Sequence, residues 1–244
     1  MKKIGILIER QRSYGRQLCE GIVCFAQTRN DWTLNMLEWE DLRSPERLKT
    51  LDGFIARLIN DQISDALERT HKPIVDVYVN RQRDGISSSD QAALQIGQMA
   101  AKHFIEHRFT HFAFFGHEGK PYSDLRRDAF VNSLQLNHFS CKVYKTPKTA
   151  LQAFDEVVLR QERYQAGPER KSIIRWLSNL ERPIAVFCSH DLRAYQLCSI
   201  CRDIGIKVPD EVAILGVDDD ALICNFTNPT ISSIDPNAKE IGFA

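Results

Sequence analysis

Two short apolar runs in the second half of the chain end abruptly in hydrogen-bonding groups. Val212-Ala213-Ile214-Leu215-Gly216-Val217 leads into Asp218-Asp219-Asp220, and Ile184-Ala185-Val186-Phe187 leads into Cys188-Ser189-His190-Asp191. Carboxylates accept hydrogen bonds; hydroxyls and a neutral imidazole both donate and accept. Ligands of open α/β sheets bind beyond the carboxyl ends of parallel strands, so polar groups crowded at strand ends suit a small polar ligand. Paired acids near Asp218 are also what general acid–base catalysis uses. The companions an enzyme needs are not visible. The chain has no Gly-x-Gly-x-x-Gly, no phosphate loop and no Gly-x-Ser-x-Gly elbow. No nucleophile, metal cluster or cofactor motif stands beside the acids, so the expected cofactor is none.

Two other spacings resemble metal or redox motifs. His103-Phe104-Ile105-Glu106-His107 has the order of the inverted zinc-protease motif. Its place at the end of an amphipathic segment points to a solvated helix end. Cys198-Ser199-Ile200-Cys201 is a Cys-x-x-Cys. It falls mid-pattern on a helix with no second Cys or His pair in register, and reads as two small buried side chains.

Composition narrows the classes further. The 244 residues are 43% hydrophobic, enough for one large domain or two lobes with cores of their own. Lys plus Arg and Asp plus Glu are both 32, so the net charge is zero and no broad basic field is offered to nucleic acid. Seven cysteines without a regular framework argue against a secreted disulfide scaffold. No apolar run approaches the roughly 20 residues of a membrane span. Met1-Lys2-Lys3 is basic, but Ile4–Ile8 is too short for a signal core and reads as a first strand. The expectation is a cytoplasmic protein with no membrane partner.

Strand-like and helix-like segments alternate along the chain. Strands are expected at Ile4–Ile8, Thr33–Leu37, Asp52–Leu58, Pro73–Tyr78, His111–Phe115, Cys141–Tyr144, Ile184–Phe187 and Val212–Val217. Helical spacing covers Tyr14–Thr28, Gln62–Arg69, Asp90–Phe104, Asp124–Leu134, Glu169–Asn179 and Leu192–Ile204, the last stopped by Gly205. Thr146–Gly167 is expected to be a loop followed by a helix. Repeated βα units imply parallel sheets covered on both faces. Two such sets predict two doubly wound, Rossmann-like lobes.

Against that frame, Val208-Pro209-Asp210-Glu211 followed by a strand ending Gly216-Val217-Asp218-Asp219 resembles the lac/gal repressor signature. Ser189-His190-Asp191-Leu192-Arg193-Ala194 is similar to that family's preceding strand end, where Asn-Asp is usual. Ser123-Asp124-Leu125-Arg126-Arg127-Asp128-Ala129-Phe130 matches its Arg-x-x-Gly-Phe, with Ala129 for glycine. Tyr14-Gly15-Arg16-Gln17-Leu18-Cys19-Glu20-Gly21-Ile22 and the tail Ile231–Gly242 resemble the branch of xylose operon regulators. The likeness spans essentially the whole chain. It implies a periplasmic-binding-protein type I fold, with a sugar held between two lobes joined by three crossovers. The implied divisions are an N-terminal lobe over 1–109, a C-terminal lobe over 110–231, and a crossover over 232–244 returning to the first lobe and cut short. It further implies a sugar effector, D-xylose or a related aldose, and a homodimer. DNA would be contacted only through an AraC-type domain lying beyond this chain, since a first strand at Ile4 leaves no room for a preceding one. Sugar would act by shifting the population of lobe arrangements. A solute-binding protein for transport, or a sugar-processing enzyme, are the rival readings.

The resemblance carries specific residues. Asp218 matches the ligand-binding aspartate, with capping of the next segment as the alternative. Arg126 matches a bidentate arginine, or else makes a structural ion pair. His190 stands where the family has Asn, and Asp191 reads as a helix N-cap. Asp90 matches an aspartate of the N-terminal lobe and could be cap, contact or both. Tyr14 and Arg16 lie in the loop after the first strand, where a sugar wall or plain surface are both open. Arg57 is a weaker candidate, and Trp32 and Trp176 are placed more like core or loop anchors.

Overall fold

The computed structural model describes residues 1–78, the backbone of 86–88, 92–147 and 169–244. The chain divides into two compact units, Met1–Gln91 with Asn237–Ala244, and Ala92–Pro236.

The first unit is a five-stranded sheet of β1 (Lys2–Leu7), β2 (Trp32–Met36), β3 (Gly53–Ala56), β4 (Ile74–Asp76) and β5 (Ile86–Ser88). Its order is β2-β1-β3-β4-β5 and every pairing is parallel. Helices α1 (Ser13–Thr28), α2 (Pro45–Lys49) and α3 (Asp61–Glu68) connect the strands, with a 3-10 turn at Trp39–Arg43. Tyr14, Leu18 and Ile22 recur every four residues and form the buried stripe of α1. Asn60 starts α3 by accepting the Ile63 N–H at 3.0 Å. One face of the sheet packs Leu7, Leu37, Phe54 and Leu67. The other packs Ile4, Ile6, Leu18, Ile22 and Ala238, the last from the terminal helix Ala238–Phe243. Trp32 meets Phe25 edge-on at 5.3 Å and anchors α1 to β2.

The second unit repeats the plan. Its strands are β6 (Phe112–Phe115), β7 (Cys141–Val143), β8 (Ile184–Cys188), β9 (Val212–Val217) and β10 (Ser232–Ile234), in the order β10-β9-β8-β6-β7, all parallel. Its helices are α4 (Ala92–Glu106), α5 (Pro121–Leu136), α6 (Arg170–Ser178), α7 (Asp191–Asp203) and α8 (Ala221–Asn225). β8 is buried on both faces, as a central parallel strand must be. Val186, Cys188, Leu197, Cys201 and Ile214 fill one side of the sheet; Phe114, Phe130, Phe187, Leu215 and Val217 fill the other. Each such large side chain stabilises by roughly 1.5–3 kcal/mol on burial. Trp176 stacks on Phe115 at 5.7 Å and lies edge-on to Tyr144 at 5.3 Å. Cys198 and Cys201 are buried in this core, where desolvation pushes their thiols up to about 11 and about 12. His103, Glu106 and His107 occupy the exposed end of α4.

These are two doubly wound α/β units with parallel sheets. In each, the chain's first, second, third, fourth and fifth strands stand in the order 2-1-3-4-5, which reverses beside the first strand. The units part between Gln91 and Ala92, not at residue 109, because α4 packs on α5. Gly97 permits that approach: a Cβ there would lie 2.5 Å from the Arg126 carbonyl oxygen and 2.6 Å from Ala129 Cβ. Residues 232–234 pair with β9, and the chain rejoins the first unit only from Asn237. Asp90 and most of the stretch from Thr146 to Gly167 lie outside the described residues.

Candidate functional site

Strand order places a ligand site where the connections leave a sheet in opposite directions, at the carboxyl ends of the first and third strands. In the second unit these are β6 and β8. Their register pairs Phe115 with Cys188, and β8 and β9 pair Phe187 with Leu215. Gly116-His117, Ser189-His190 and Asp218 therefore emerge at one edge.

Each side chain there is set by a helix start. The His117 N–H donates to Ser123 Oγ at 2.9 Å, which ties the end of β6 to the first turn of α5. Pro121 opens that helix, where its missing N–H costs nothing. Tyr122 and Arg126 follow four residues apart on α5. His190 caps α7, its Nδ1 accepting the Arg193 N–H at 3.3 Å. That bond requires an unprotonated Nδ1, which leaves Nε2 as the imidazole's N–H. The His117 and His190 rings lie 5.6 Å apart at 27°, and Tyr122 is 6.1 Å from His190. The Arg126 guanidinium stands over Tyr122 at 5.5 Å, donates to the Ser189 carbonyl, and lies 4.0 Å from Asp218 Oδ1. Arg126 is 6% exposed, yet its Nε has no hydrogen-bond partner among the described residues, nor has the fully buried Ser189 Oγ.

A second layer holds these groups. Arg193 and Glu169 form a two-toothed ion pair at 2.7 and 3.0 Å. Arg193 also donates to Gln196 Oε1 at 2.6 Å and to the Gly116 carbonyl at 2.9 Å, and lies over the Phe115 ring at 3.9 Å. It thereby joins the end of β6 to the start of α7. Asp191 does not cap α7; His190 does. The Asp191 carboxylate turns toward the three-aspartate loop and accepts from Asp220 N–H at 2.8 Å and Ser233 Oγ–H at 2.6 Å. Burial pushes its carboxyl up to about 7; Asp218 adds to the rise, and the Ser233 bond opposes it. Asp220 is itself a cap, accepting from the Leu222 and Ile223 N–H groups.

The first unit has its own strand-end group, where β1 and β3 finish. Arg57 pairs with Glu9, and its guanidinium stands 5.2 Å from the Tyr14 ring and 4.8 Å from Tyr78. Asp76 fixes the neighbouring turn through the Leu58 and Tyr78 N–H groups at 3.2 and 2.8 Å. Arg16 is exposed and folds back on the Arg10 and Gln11 carbonyls.

Of the residues singled out by sequence, Asp218, Arg126 and His190 are brought together, Tyr14 joins Arg57, and Arg16 lies in the same first turn of α1 as Tyr14. His117, Tyr122, Tyr78 and Glu9 were missed. The strand-end argument that selected His190 applies equally to His117, two residues past Phe115. The Arg193–Glu169 pair had no local signal, since its partners are far apart in sequence.

A pair of doubly wound units, each gathering cation, carboxylate and aromatic side chains where its strand order reverses, defines an α/β protein of the architecture that places ligand sites at such switch points. A family model described as a periplasmic binding protein-like domain matches residues 101–244, more than half the chain, and the chain belongs to that family. It is 28% identical to the xylose operon regulatory protein of Haemophilus influenzae over 252 residues, 99% of this chain and 62% of that protein. The chain thus spans about three fifths of the length of the curated relatives it matches. A solved structure of a xylose-binding transcription activator superposes with TM-score 0.70 at 23% identity, covering 99% of this chain and 60% of that one. A regulator from Alkaliphilus metalliredigens, complexed with D-xylulofuranose, gives TM-score 0.70 at 19% identity over 100% of this chain and 87% of that one. Among the described residues, no helix is long and apolar enough to cross a membrane, and no group of three His, Cys, Asp or Glu could hold a metal ion.

Proposed function

We propose that this chain is the effector-binding part of a sugar-responsive transcription regulator, with D-xylose or a related aldose as effector. The observation that carries the reading is the buried Arg126 beside Asp218 at the second unit's switch point, 4.0 Å apart and flanked by His117, His190 and Tyr122. A sugar is neutral and densely hydroxylated. Asp218 accepts from adjacent hydroxyls and Arg126 donates to their oxygens, both as charge-assisted bonds. His190 and His117 supply further polar contacts, and Tyr122 an apolar face for C–H groups. In the first unit the largely buried group of Tyr14, Arg57 and Tyr78 is the counterpart. Arg16, in the same first turn of α1, keeps the contact role that the family resemblance implies, with one guanidinium nitrogen donating to the Arg10 and Gln11 carbonyls. Asp90 keeps the contact role that the family resemblance implies.

The protein acts as a sensor and does not turn its sugar over. Sugar shifts the population between conformations by no more than its differential affinity for them. DNA is contacted through an AraC-type domain outside this chain, in a cytoplasmic homodimer. The names of the relatives support the regulatory reading.

Isothermal titration with D-xylose, D-glucose, L-arabinose and D-ribose tests it. The expected result is selective binding of D-xylose, lost in Asp218→Ala, with the sugar recovered unchanged. Absence of binding by every aldose in folded protein refutes the ligand class, and turnover refutes the sensor role.

A further inference from the structure

The Asp218 carboxylate is presented by an unusual backbone. Asp218 and Asp219 have φ of 111° and 44°, a region that side-chain-bearing residues rarely adopt. Such a conformation persists only where its surroundings over-determine it. Three backbone N–H groups of the loop are tied down. Asp218 N–H donates to the Ile234 carbonyl at 3.1 Å. Asp219 N–H donates to Ser233 Oγ at 3.0 Å, and Ser233 passes its own proton to Asp191 Oδ1 at 2.6 Å. Asp220 N–H donates directly to Asp191 Oδ2 at 2.8 Å. Two of the three ties therefore converge on one carboxyl group. That carboxyl is 2% exposed, and Cys224 Sγ also approaches it at 3.5 Å. Gly216 makes room for it: a Cβ at that position would lie 2.1 Å from Asp191 Oδ1.

The geometry points to Asp191 as the positioning residue of the ligand site: through Asp220 and the Ser233 relay it fixes the strained loop that aims Asp218 toward Arg126. This inference rests on the sugar-sensor reading for its ligand, but its structural core does not. Asp191 need not touch the ligand. Burial raises its carboxyl to about 7, so a neutral form is accessible near neutrality, and that form keeps a carbonyl for the Asp220 N–H. Asparagine offers the same carbonyl, with an amide that donates to Ser233 Oγ. Alanine offers neither.

The test compares Asp191→Asn, Asp191→Ala and Ser233→Ala in the full 244-residue chain. D-xylose titration and the amide signals of Asp219 and Asp220 in ¹⁵N–¹H spectra are both read. Asp191→Asn is expected to bind within about three-fold of the parent. Asp191→Ala is expected to bind at least about ten-fold more weakly, the scale of losing one to two net hydrogen bonds. Its Asp219 and Asp220 amides should shift and lose exchange protection, while those of β8 stay in place. Ser233→Ala should move Asp219 alone. Unchanged loop amides in both Asp191→Ala and Ser233→Ala would overturn the inference, as would equal loss of binding in Asp191→Asn and Asp191→Ala. If Asp191→Ala does not fold, Ser233→Ala decides through the Asp219 amide. If the parent binds no aldose, the sensor reading fails, and the amide signals still decide whether Asp191 holds the loop.

Discussion

Replacing Glu169 with alanine strands a charge inside the second unit. Both partners of the Glu169–Arg193 pair are 1% exposed, so neither is solvated when the other is removed. Deleting one member of a buried ion pair costs about 3–5 kcal/mol, most of it the penalty of leaving the other unpaired. Arg193 retains the Gln196 amide oxygen, the Gly116 carbonyl and the face of Phe115, which places Glu169→Ala near the lower end, about 3 kcal/mol. With a urea slope of about 2 kcal/mol per molar, the midpoint should fall by about 1.5 M. Trp176 reports on this unit because it stacks on Phe115 beneath the pair, whereas Trp32 and Trp39 lie in the first unit. The assay is urea unfolding followed by Trp176 fluorescence in a Trp32→Phe, Trp39→Phe background. Replacing both partners with apolar residues, Glu169→Leu with Arg193→Met, should recover much of the loss, since no buried charge remains. A midpoint shift below about 0.3 M in Glu169→Ala would refute the reasoning, because it would mean that the guanidinium reaches water.

Asp191 makes stability depend on pH in a definite direction. Its folded carboxyl sits at about 7 against an ordinary 3.8, so the folded state holds the proton more tightly than the unfolded chain. Its contribution is fully present below about pH 4 and is lost as pH rises toward 7. Between pH 5 and pH 8 the parent should lose about 2 kcal/mol relative to Asp191→Asn in urea unfolding; a constant difference between the two would show the group titrating normally. Gly97→Ala should destabilise the second unit by about 1–3 kcal/mol, because the new methyl meets the Arg126 carbonyl and Ala129; a neutral effect in thermal unfolding would show α4 and α5 less closely packed. Cys198 and Cys201, buried with thiols raised by desolvation, should resist a disulfide reagent in native protein and bind no stoichiometric zinc, while the half-buried Cys19 and Cys24 react first. Rapid native labelling of Cys201 would contradict the core placement.

Much of the plan is legible in the residues alone. Apolar runs such as Ile184–Phe187 and Val212–Val217 are too continuous for exposed strands, and the helical stripes between them force parallel pairing by crossover. The polar residues that end each run stand out as well: Asp218 and His190 are picked by that position, and the parallel register brings their strand ends level. The short β5 and β10, and the helices at Ala221–Asn225 and Ala238–Phe243, escape notice because a few residues carry too little periodicity. Local pattern also misassigned the cap of α7: aspartate is the commoner capping residue, yet His190 takes the role and Asp191 is drawn to the N–H of Asp220, 29 positions away. Tertiary structure alone decided that Arg126 lies 4.0 Å from Asp218, that His117 joins them, that Arg57 stands over Tyr14, and that Arg193 finds Glu169. The physical reason is range. Propensity and periodicity act over one or two turns of chain, whereas these contacts are set by which strand ends the parallel register brings level, a property of the assembled sheet.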